Sequence, residues 1–191
     1  PWYYALESDE MYSYFTRLAD AVEGALMLYN IPKTTHMSIP VEVIEKLSGH
    51  RRIVGLKDSE KNPARMEKII KMLSGRNDFT CAVGCAPLSV QAVSLGADAI
   101  VPSSANLVPQ MYRDLFDSAR GDNPSQAETL QDQTNRVSAM YQGGRTLGQS
   151  LAALKTMMGV LDLCGPTVLP PLEMLSDEER GELEQKMKTE E

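Results

Sequence analysis

The sequence predicts an α/β protein in which four βα units form a parallel sheet and an all-helical segment follows. Three observations predict it. Short runs of β-forming residues alternate with longer stretches of helical periodicity as far as residue 121. Glycine and proline mark brief turns between those stretches, and the β-forming runs disappear from Gln126 onward.

The elements follow in order. Ser8 is placed to cap a first helix whose apolar positions Met11, Tyr14, Phe15, Leu18 and Val22 recur at helical spacing, with Gly24 as its stop. A strand is predicted over 25–29. Pro40 opens a second helix through Val43, Ile44 and Leu47 to Gly49, and a strand over 53–57 comes next. Met66, Ile69, Ile70 and Leu73 make a third helix before Gly75, leading to a strand over 79–83. A fourth helix over 88–95 stops at Gly96 before a strand over 99–102, and a fifth covers 108–119.

Beyond these the spacing predicts helices over 126–141 and 146–161 and a last one after Ser176, which sits at capping-box distance from Glu179. Gly143-Gly144, Gly165-Pro166 and Pro170-Pro171 separate them. The expected organisation is an α/β part over residues 1–121 and a three-helix extension over 122–191.

Composition narrows the function classes. With 191 residues, 42% of them hydrophobic, the chain can bury a sizeable core. Its net charge of -7 presents a repulsive average field to nucleic acid and anionic membranes, so neither is an expected partner. Cys81, Cys85 and Cys164 form an odd set with neither a disulfide framework nor paired metal-ligand spacing. A reducing, cytoplasmic setting, no metal and no cofactor are expected. No apolar run has the length of a membrane span, and no charged segment with an apolar stretch opens the chain.

Reactive groups of parallel α/β folds gather where the strands end, because the loops leaving there converge over the sheet. Tyr29 ends the first predicted strand and Lys57 the second, one βα unit apart. Burial of an ammonium at the end of an apolar strand favours the neutral amine, a nucleophile that condenses with ketones. The iminium so formed withdraws electrons and stabilises the carbanion of an aldol cleavage or condensation. A nearby phenol suits the proton transfers to the hydroxyl that forms and breaks. The plain alternative is a rim lysine whose ammonium is solvated and paired with Asp58 or Glu60. For Tyr29 the alternative is a buried aromatic bonded to backbone.

The helix lengths and short connections suit an open parallel sheet and a (β/α) barrel equally. Four parallel strands leave two edges unpaired, and a complete eight-stranded barrel takes about 250 residues. The chain, which opens inside Pro1-Trp2-Tyr3-Tyr4, is therefore expected to be the C-terminal part of a longer one.

Tyr29-Asn30-Ile31-Pro32, followed one strand later by Gly55-Leu56-Lys57-Asp58-Ser59, resembles the paired signature of the dihydrodipicolinate synthase and N-acetylneuraminate lyase family. Pro1-Trp2-Tyr3-Tyr4, Gly84 and Ser104-Ala105-Asn106 resemble further landmarks in the family's order. The resemblance implies a (β/α)8 TIM barrel, of which this chain carries the last four βα units, plus a C-terminal helical extension. It implies class I aldolases or lyases acting on pyruvate-type 2-oxo acids and an aldehyde, assembled as homo-oligomers, commonly tetramers. On it Lys57 is the Schiff-base lysine, Tyr29 the proton donor and acceptor, and Tyr3 the tyrosine that extends the proton relay from a neighbouring subunit. Val101 aligns with a position whose backbone contacts pyruvate, and Gly84 falls in the substrate-binding set. The loop that grips the substrate carboxylate would lie upstream of Pro1.

Departures from the family bear on the second substrate. Thr34 stands where the synthases carry an arginine for a substrate carboxylate, and a hydroxyl does not replace a bidentate cation. Ala86 and Pro87 stand where sialic acid lyases carry acidic residues for sugar hydroxyls. The Lys57-Asp58-Ser59 string is closer to the 2-keto-3-deoxy sugar acid and 4-hydroxy-2-oxoglutarate aldolases, and Thr34 with Thr35 would hydrogen-bond a hydroxylated chain. The alternatives are a 4-hydroxy-tetrahydrodipicolinate synthase and a non-catalytic relative that binds a 2-oxo acid as a regulatory ligand.

Overall fold

The computed structural model describes residues 3–121 and 123–189. The first part of the chain runs α1 (Ser8–Ala21), β1 (Leu26–Asn30), α2 (Pro32–Thr35), α3 (Val41–Leu47), β2 (Ile53–Asp58), α4 (Pro63–Leu73), β3 (Thr80–Val83), α5 (Ser89–Ser94) and β4 (Ala99–Ile100). Then come α6 (Pro109–Arg120), α7 (Pro124–Gln142), α8 (Leu147–Val160) and α9 (Asp177–Thr189), with 3-10 turns at Ala86–Leu88 and Ser103–Asn106. The strands form one parallel sheet in the order β1-β2-β3-β4. The predicted βα alternation is present, and each helix crossover returns the chain to the next strand in line.

Several element ends differ from the sequence expectation: β4 ends at Ile100 rather than 102 and α7 starts at Pro124 rather than 126, and both ends of α1 shift for a visible reason. Ser8 is the first helical residue rather than the cap. The preceding Glu7 takes that place, and its N–H donates to the Glu10 carboxylate at 2.9 Å. A carboxylate in the first turn also suits the positive end of the helix. At the other end α1 stops at Ala21, before Gly24, because the Arg52 guanidinium donates to the carbonyls of Ala19, Asp20 and Val22. A side chain from the residue just before β2 thereby takes the carbonyls that a continued helix would have bonded. The capping box at Ser176 is formed: Ser176 N–H donates to Glu179 at 2.9 Å, and Glu179 N–H to Ser176 Oγ at 3.2 Å.

The described chain divides into two compact units, residues 1–102 with 116–124, and residues 103–115 with 125–191. In the α/β unit the alternation of the strands sends Leu28, Leu56, Cys81 and Val83 toward one side of the sheet. There they meet Met11, Val43, Ile44, Leu47, Met66, Ile69, Ile70 and Ala92 of α1, α3, α4 and α5. Each fully buried leucine or isoleucine contributes about 2 kcal/mol of transfer free energy, so this layer holds the sheet in place. The opposite face carries Met27, Tyr29 and Lys57, with Met27 48% and Tyr29 46% exposed.

In the helical unit Tyr141, Leu154, Met157 and Leu183 pack with Leu107. The turn after β4 belongs to this unit because its hydroxyls are tied there. Ser103 Oγ lies 2.6 Å from Tyr141 Oη, and Ser104 Oγ lies 2.7 Å from Tyr112 Oη and 2.8 Å from Ser138 Oγ. Among the described residues no helix is long and apolar enough to cross a membrane.

Candidate active site

The register of β1 with β2 pairs Tyr29 with Lys57 and Asn30 with Asp58, and β3 continues the two rows with Ala82 and Val83. Residues paired across neighbouring strands project to the same face, so Tyr29, Lys57 and Ala82 stand together on the side opposite the layer packed against α1, α3, α4 and α5. The Lys57 amine lies 4.2 Å from the centroid of the Tyr29 ring. Lys57 is half-buried. Asp58 and Glu60, the two carboxylates next to it in sequence, are held instead by Arg65, at 2.9 and 3.3 Å.

Gly84, just past β3, shapes the lysine's surroundings. A Cβ built there would lie 2.1 Å from Ser59 Oγ and 2.9 Å from Lys57 Cε. The glycine is needed for space, because the lysine stem and the Ser59 side chain both lie against its backbone. Its N–H donates to the Asp58 carbonyl at 2.7 Å, which continues the β2–β3 ladder to the rim.

The residues after β1 form the short helix α2, which sequence periodicity does not reveal. Pro32 at its start supplies a helical φ, and His36 closes it with a left-handed φ of 57°. Thr34 donates its hydroxyl proton to Ile31 O at 3.0 Å, and Thr35 to Met37 O at 2.9 Å. Both threonines therefore offer a ligand acceptor lone pairs. Lys33 and His36 are exposed. Val101 is 45% exposed, and its N–H donates to Val83 O at 2.8 Å. Tyr3 is 78% exposed, with its ring edge-on to Tyr4 at 4.8 Å. The structure thus brings Lys57, Tyr29 and Gly84 together, while Tyr3 stands out in solvent and Thr34 turns its proton to backbone.

Beneath the pair lies a polar network that sequence reasoning does not assemble. Asn30 is 1% exposed and donates from Nδ2 to Asp58 Oδ1 and Oδ2, at 3.3 and 3.2 Å, and to Glu60 Oε2 at 3.2 Å. Its Oδ1 accepts the Ile39 N–H at 2.9 Å, and Ser38 Oγ donates to Glu60 at 2.6 Å. Burial would raise the Glu60 carboxyl, but hydrogen bonds from Ser38 and Asn30 and the charge of Arg65 outweigh it and hold the group below its ordinary value. A carboxyl depressed on folding contributes stability that is present above its unfolded value, near 4.5, and is lost as pH falls through the lower folded value. Glu60→Gln is accordingly expected to flatten the stability decline between about pH 5 and 3 in urea unfolding. An unchanged decline would remove Glu60 as a cause of acid sensitivity.

Cys81 and Cys85 sit on the helix side of the sheet and at its rim. Burial, with Asp98 and Asp58 adding to it, pushes the Cys81 thiol up to about 12. Burial likewise raises Cys85, opposed by Lys61. A thiol held protonated is a small apolar core group rather than a nucleophile.

Comparison with known proteins bears on this site. The family described as the dihydrodipicolinate synthetase family matches residues 1–190. A 4-hydroxy-tetrahydrodipicolinate synthase of Alkalilimnicola ehrlichii is 28% identical over 189 residues, which cover 98% of this chain and 62% of that protein. Dihydrodipicolinate synthase of Bacteroides thetaiotaomicron superposes with a TM-score of 0.91 at 25% identity, over 99% of this chain and 64% of that one. YagE, an Escherichia coli K12 prophage protein of the dihydrodipicolinic acid synthase family solved with pyruvate, superposes with a TM-score of 0.87 at 23% identity, over 99% of this chain and 63% of that one. The chain spans a little over six-tenths of the length of each of these relatives.

Proposed function

The chain belongs to the dihydrodipicolinate synthetase family, and on that footing we propose that it carries the catalytic half of a class I aldolase or lyase whose Lys57 forms a Schiff base with pyruvate or a related 2-oxo acid. The observation that carries the reading is the Lys57 amine 4.2 Å from the Tyr29 ring centroid, both side chains at the C-terminal ends of adjacent parallel strands. The sheet belongs to a (β/α)8 barrel on this reading. Parallel sheets are covered on both faces, and here the face bearing Lys57 is opposite the one packed against α1, α3, α4 and α5, as a barrel interior would be.

The chemistry follows from these groups. The Lys57 amine adds as its free base to the ketone carbon; the Tyr29 phenol then gives its proton to the departing hydroxyl, so that water leaves, an iminium forms and Tyr29 is left as the phenolate. In the cleavage direction the Tyr29 phenolate removes the proton of the hydroxyl two carbons from the iminium carbon. The carbon–carbon bond breaks as the aldehyde carbonyl forms, and its electron pair enters the iminium to give an enamine. Protonation of the enamine and addition of water then release the 2-oxo acid and restore the amine. Tyr3 joins the proton relay from a neighbouring subunit, in a homo-oligomer, and the Val101 backbone contacts the pyruvate moiety.

Borohydride reduction in the presence of pyruvate tests the reading on the full-length protein. A covalent adduct on the Lys57 peptide is expected. No adduct there would sink the Schiff-base mechanism, and an adduct without turnover of any hydroxy-2-oxo acid would point to a regulatory 2-oxo-acid binder. Tyr29→Phe is expected to keep much of the adduct and to lower turnover by about 10²- to 10⁴-fold, the range of a general acid–base contribution. Parental turnover in that variant would remove Tyr29 from the proton path.

For the second substrate, Thr34 with Thr35 favours a hydroxylated chain, such as a 2-keto-3-deoxy sugar acid or a hydroxy-2-oxo acid. The 4-hydroxy-tetrahydrodipicolinate synthase reading is favoured by the names of the relatives. It calls for a cation to meet a substrate carboxylate, and the exposed Lys33 is adjacent to Thr34. Comparing turnover of hydroxylated and carboxylated aldehydes, with and without Lys33→Ala, separates the two.

A further inference from the structure

Lys57 and Tyr29 are penultimate residues of β2 and β1, and the last residues of those strands, Asp58 and Asn30, point to the opposite side of the sheet. Whatever fixes Asn30 and Asp58 therefore fixes the backbone from which the two site side chains project. The bonds that do so converge on Arg65, which enters from the first turn of α4 and is 10% exposed at its side chain. Its Nε donates to Asp58 Oδ2 at 2.9 Å and faces Glu60 at 3.3 Å, while Nη2 donates to Ile39 O at 2.7 Å. One guanidinium thus holds the end of β2, the loop after β2 and the segment that follows α2. Asn30 closes the ring through Asp58, Glu60 and the Ile39 N–H, and the Ser59 N–H donates back to Asn30 O at 2.9 Å.

We propose that Arg65 is a positioning residue for the Tyr29–Lys57 pair, acting through Asp58 and Asn30 to lock the two strand ends in register; the proposal rests on the Schiff-base reading for its chemical consequence. Two observations favour positioning over simple stabilisation. A buried guanidinium with two carboxylates is a costly way to hold a rim together, since apolar groups of similar volume hold it as well or better. What apolar groups do not supply is direction: a planar fork fixes each acceptor in angle as well as distance. The loop after β2 that Arg65 ties also carries Ser59, whose side chain lies at the place where Gly84 leaves room for the lysine.

The test uses the full-length protein, with Arg65→Met and Arg65→Lys. Arg65→Lys keeps the charge but reaches the three acceptors less well, and it serves where Arg65→Met fails to fold. Two readouts are taken: the rate of borohydride trapping with pyruvate, and amide hydrogen exchange resolved by residue. Displacement of a reacting group by about 1 Å costs up to about 10²-fold in rate, so trapping is expected to fall by about 10- to 100-fold in Arg65→Met, with partial recovery in Arg65→Lys. Exchange is expected to quicken at the Ser59 and Gly84 amides while the Leu28 and Leu56 amides keep their protection. Parental trapping and exchange would overturn the proposal, as would loss of protection spread evenly over the sheet with trapping falling in proportion. If the parent protein forms no pyruvate adduct, the Schiff-base reading fails on its own; localised exchange at Ser59 and Gly84 would still uphold the positioning role, and unaltered exchange would end it.

Discussion

Replacing Lys57 by alanine is expected, on the proposed Schiff-base mechanism, to remove the pyruvate adduct and to lower turnover by at least about 10³-fold, because an enzyme without its nucleophile keeps activity from binding alone. The same substitution is expected to leave the fold nearly untouched. Lys57 is half-buried, and it gives up the packing of its stem beside Gly84 and its place over the Tyr29 ring at 4.2 Å, a contact worth about 0.5–2 kcal/mol depending on how far it is desolvated. Thermal unfolding and borohydride trapping on the same preparation check both halves. A large stability loss in Lys57→Ala would show that the lysine is a structural member of the rim. Retained turnover would end the mechanism. Lys57→Arg serves as a control, since it keeps a long side chain over the ring while offering no amine for condensation.

Gly84→Ala is expected to produce the second large effect by displacing Lys57, the nucleophile of the proposed mechanism, without altering any proposed reacting group. The added methyl would stand 2.1 Å from Ser59 Oγ and 2.9 Å from Lys57 Cε, so at least one of those side chains must move. Both atoms are far ends of flexible side chains, so the stability cost is expected to fall at or below the low end of the about 1–3 kcal/mol of overpacking. A shifted amine is expected to slow imine formation by about 10- to 100-fold. The contribution of each neighbour is separable. Adding Ser59→Gly to Gly84→Ala removes the hydroxyl and the Cβ that the methyl meets, and is expected to return most of the stability. The contact with Lys57 persists, so trapping is expected to stay slow. Full recovery of trapping in the double variant would mean that Ser59 alone suffers the clash and that Gly84 does not shape the lysine's position.

The candidate site was legible in the sequence to the extent that it follows from chain order. Alternating β-forming and helical runs predict parallel strands. In such a sheet the ends of consecutive strands meet at one rim, which is enough to bring Tyr29 and Lys57 together. Gly84 is visible only as a glycine after a strand. That its missing side chain makes room for a particular lysine emerges once β2 and β3 are paired in register. Arg65 carries no sequence signal of its own. It reads as a polar residue in the first turn of a helix, and its bonds to Asp58, Glu60 and Ile39 depend on how two loops fold back over the sheet.

The helices divide in the same way. Where a helix ends is decided by which group takes its last carbonyls, and for α1 that group is Arg52, some thirty residues along the chain. Gly24 looked like the stop because local propensity was the available signal, and a tertiary hydrogen bond overrides it. Ser176, by contrast, caps α9 as its spacing to Glu179 predicts, because both partners lie within one turn.

By itself, then, the sequence determined the α/β class, the four-unit order and the shared rim of Tyr29 and Lys57, since each rests on periodicity or adjacency along the chain. Only the tertiary structure decided that Asp58 and Glu60 bond to Arg65, that Lys57 is left over the Tyr29 ring, and that a side chain at Gly84 would displace Ser59 and Lys57. Those are distances between residues remote in sequence, and they come into being when the buried apolar layer sets the spacing of the strands and loops.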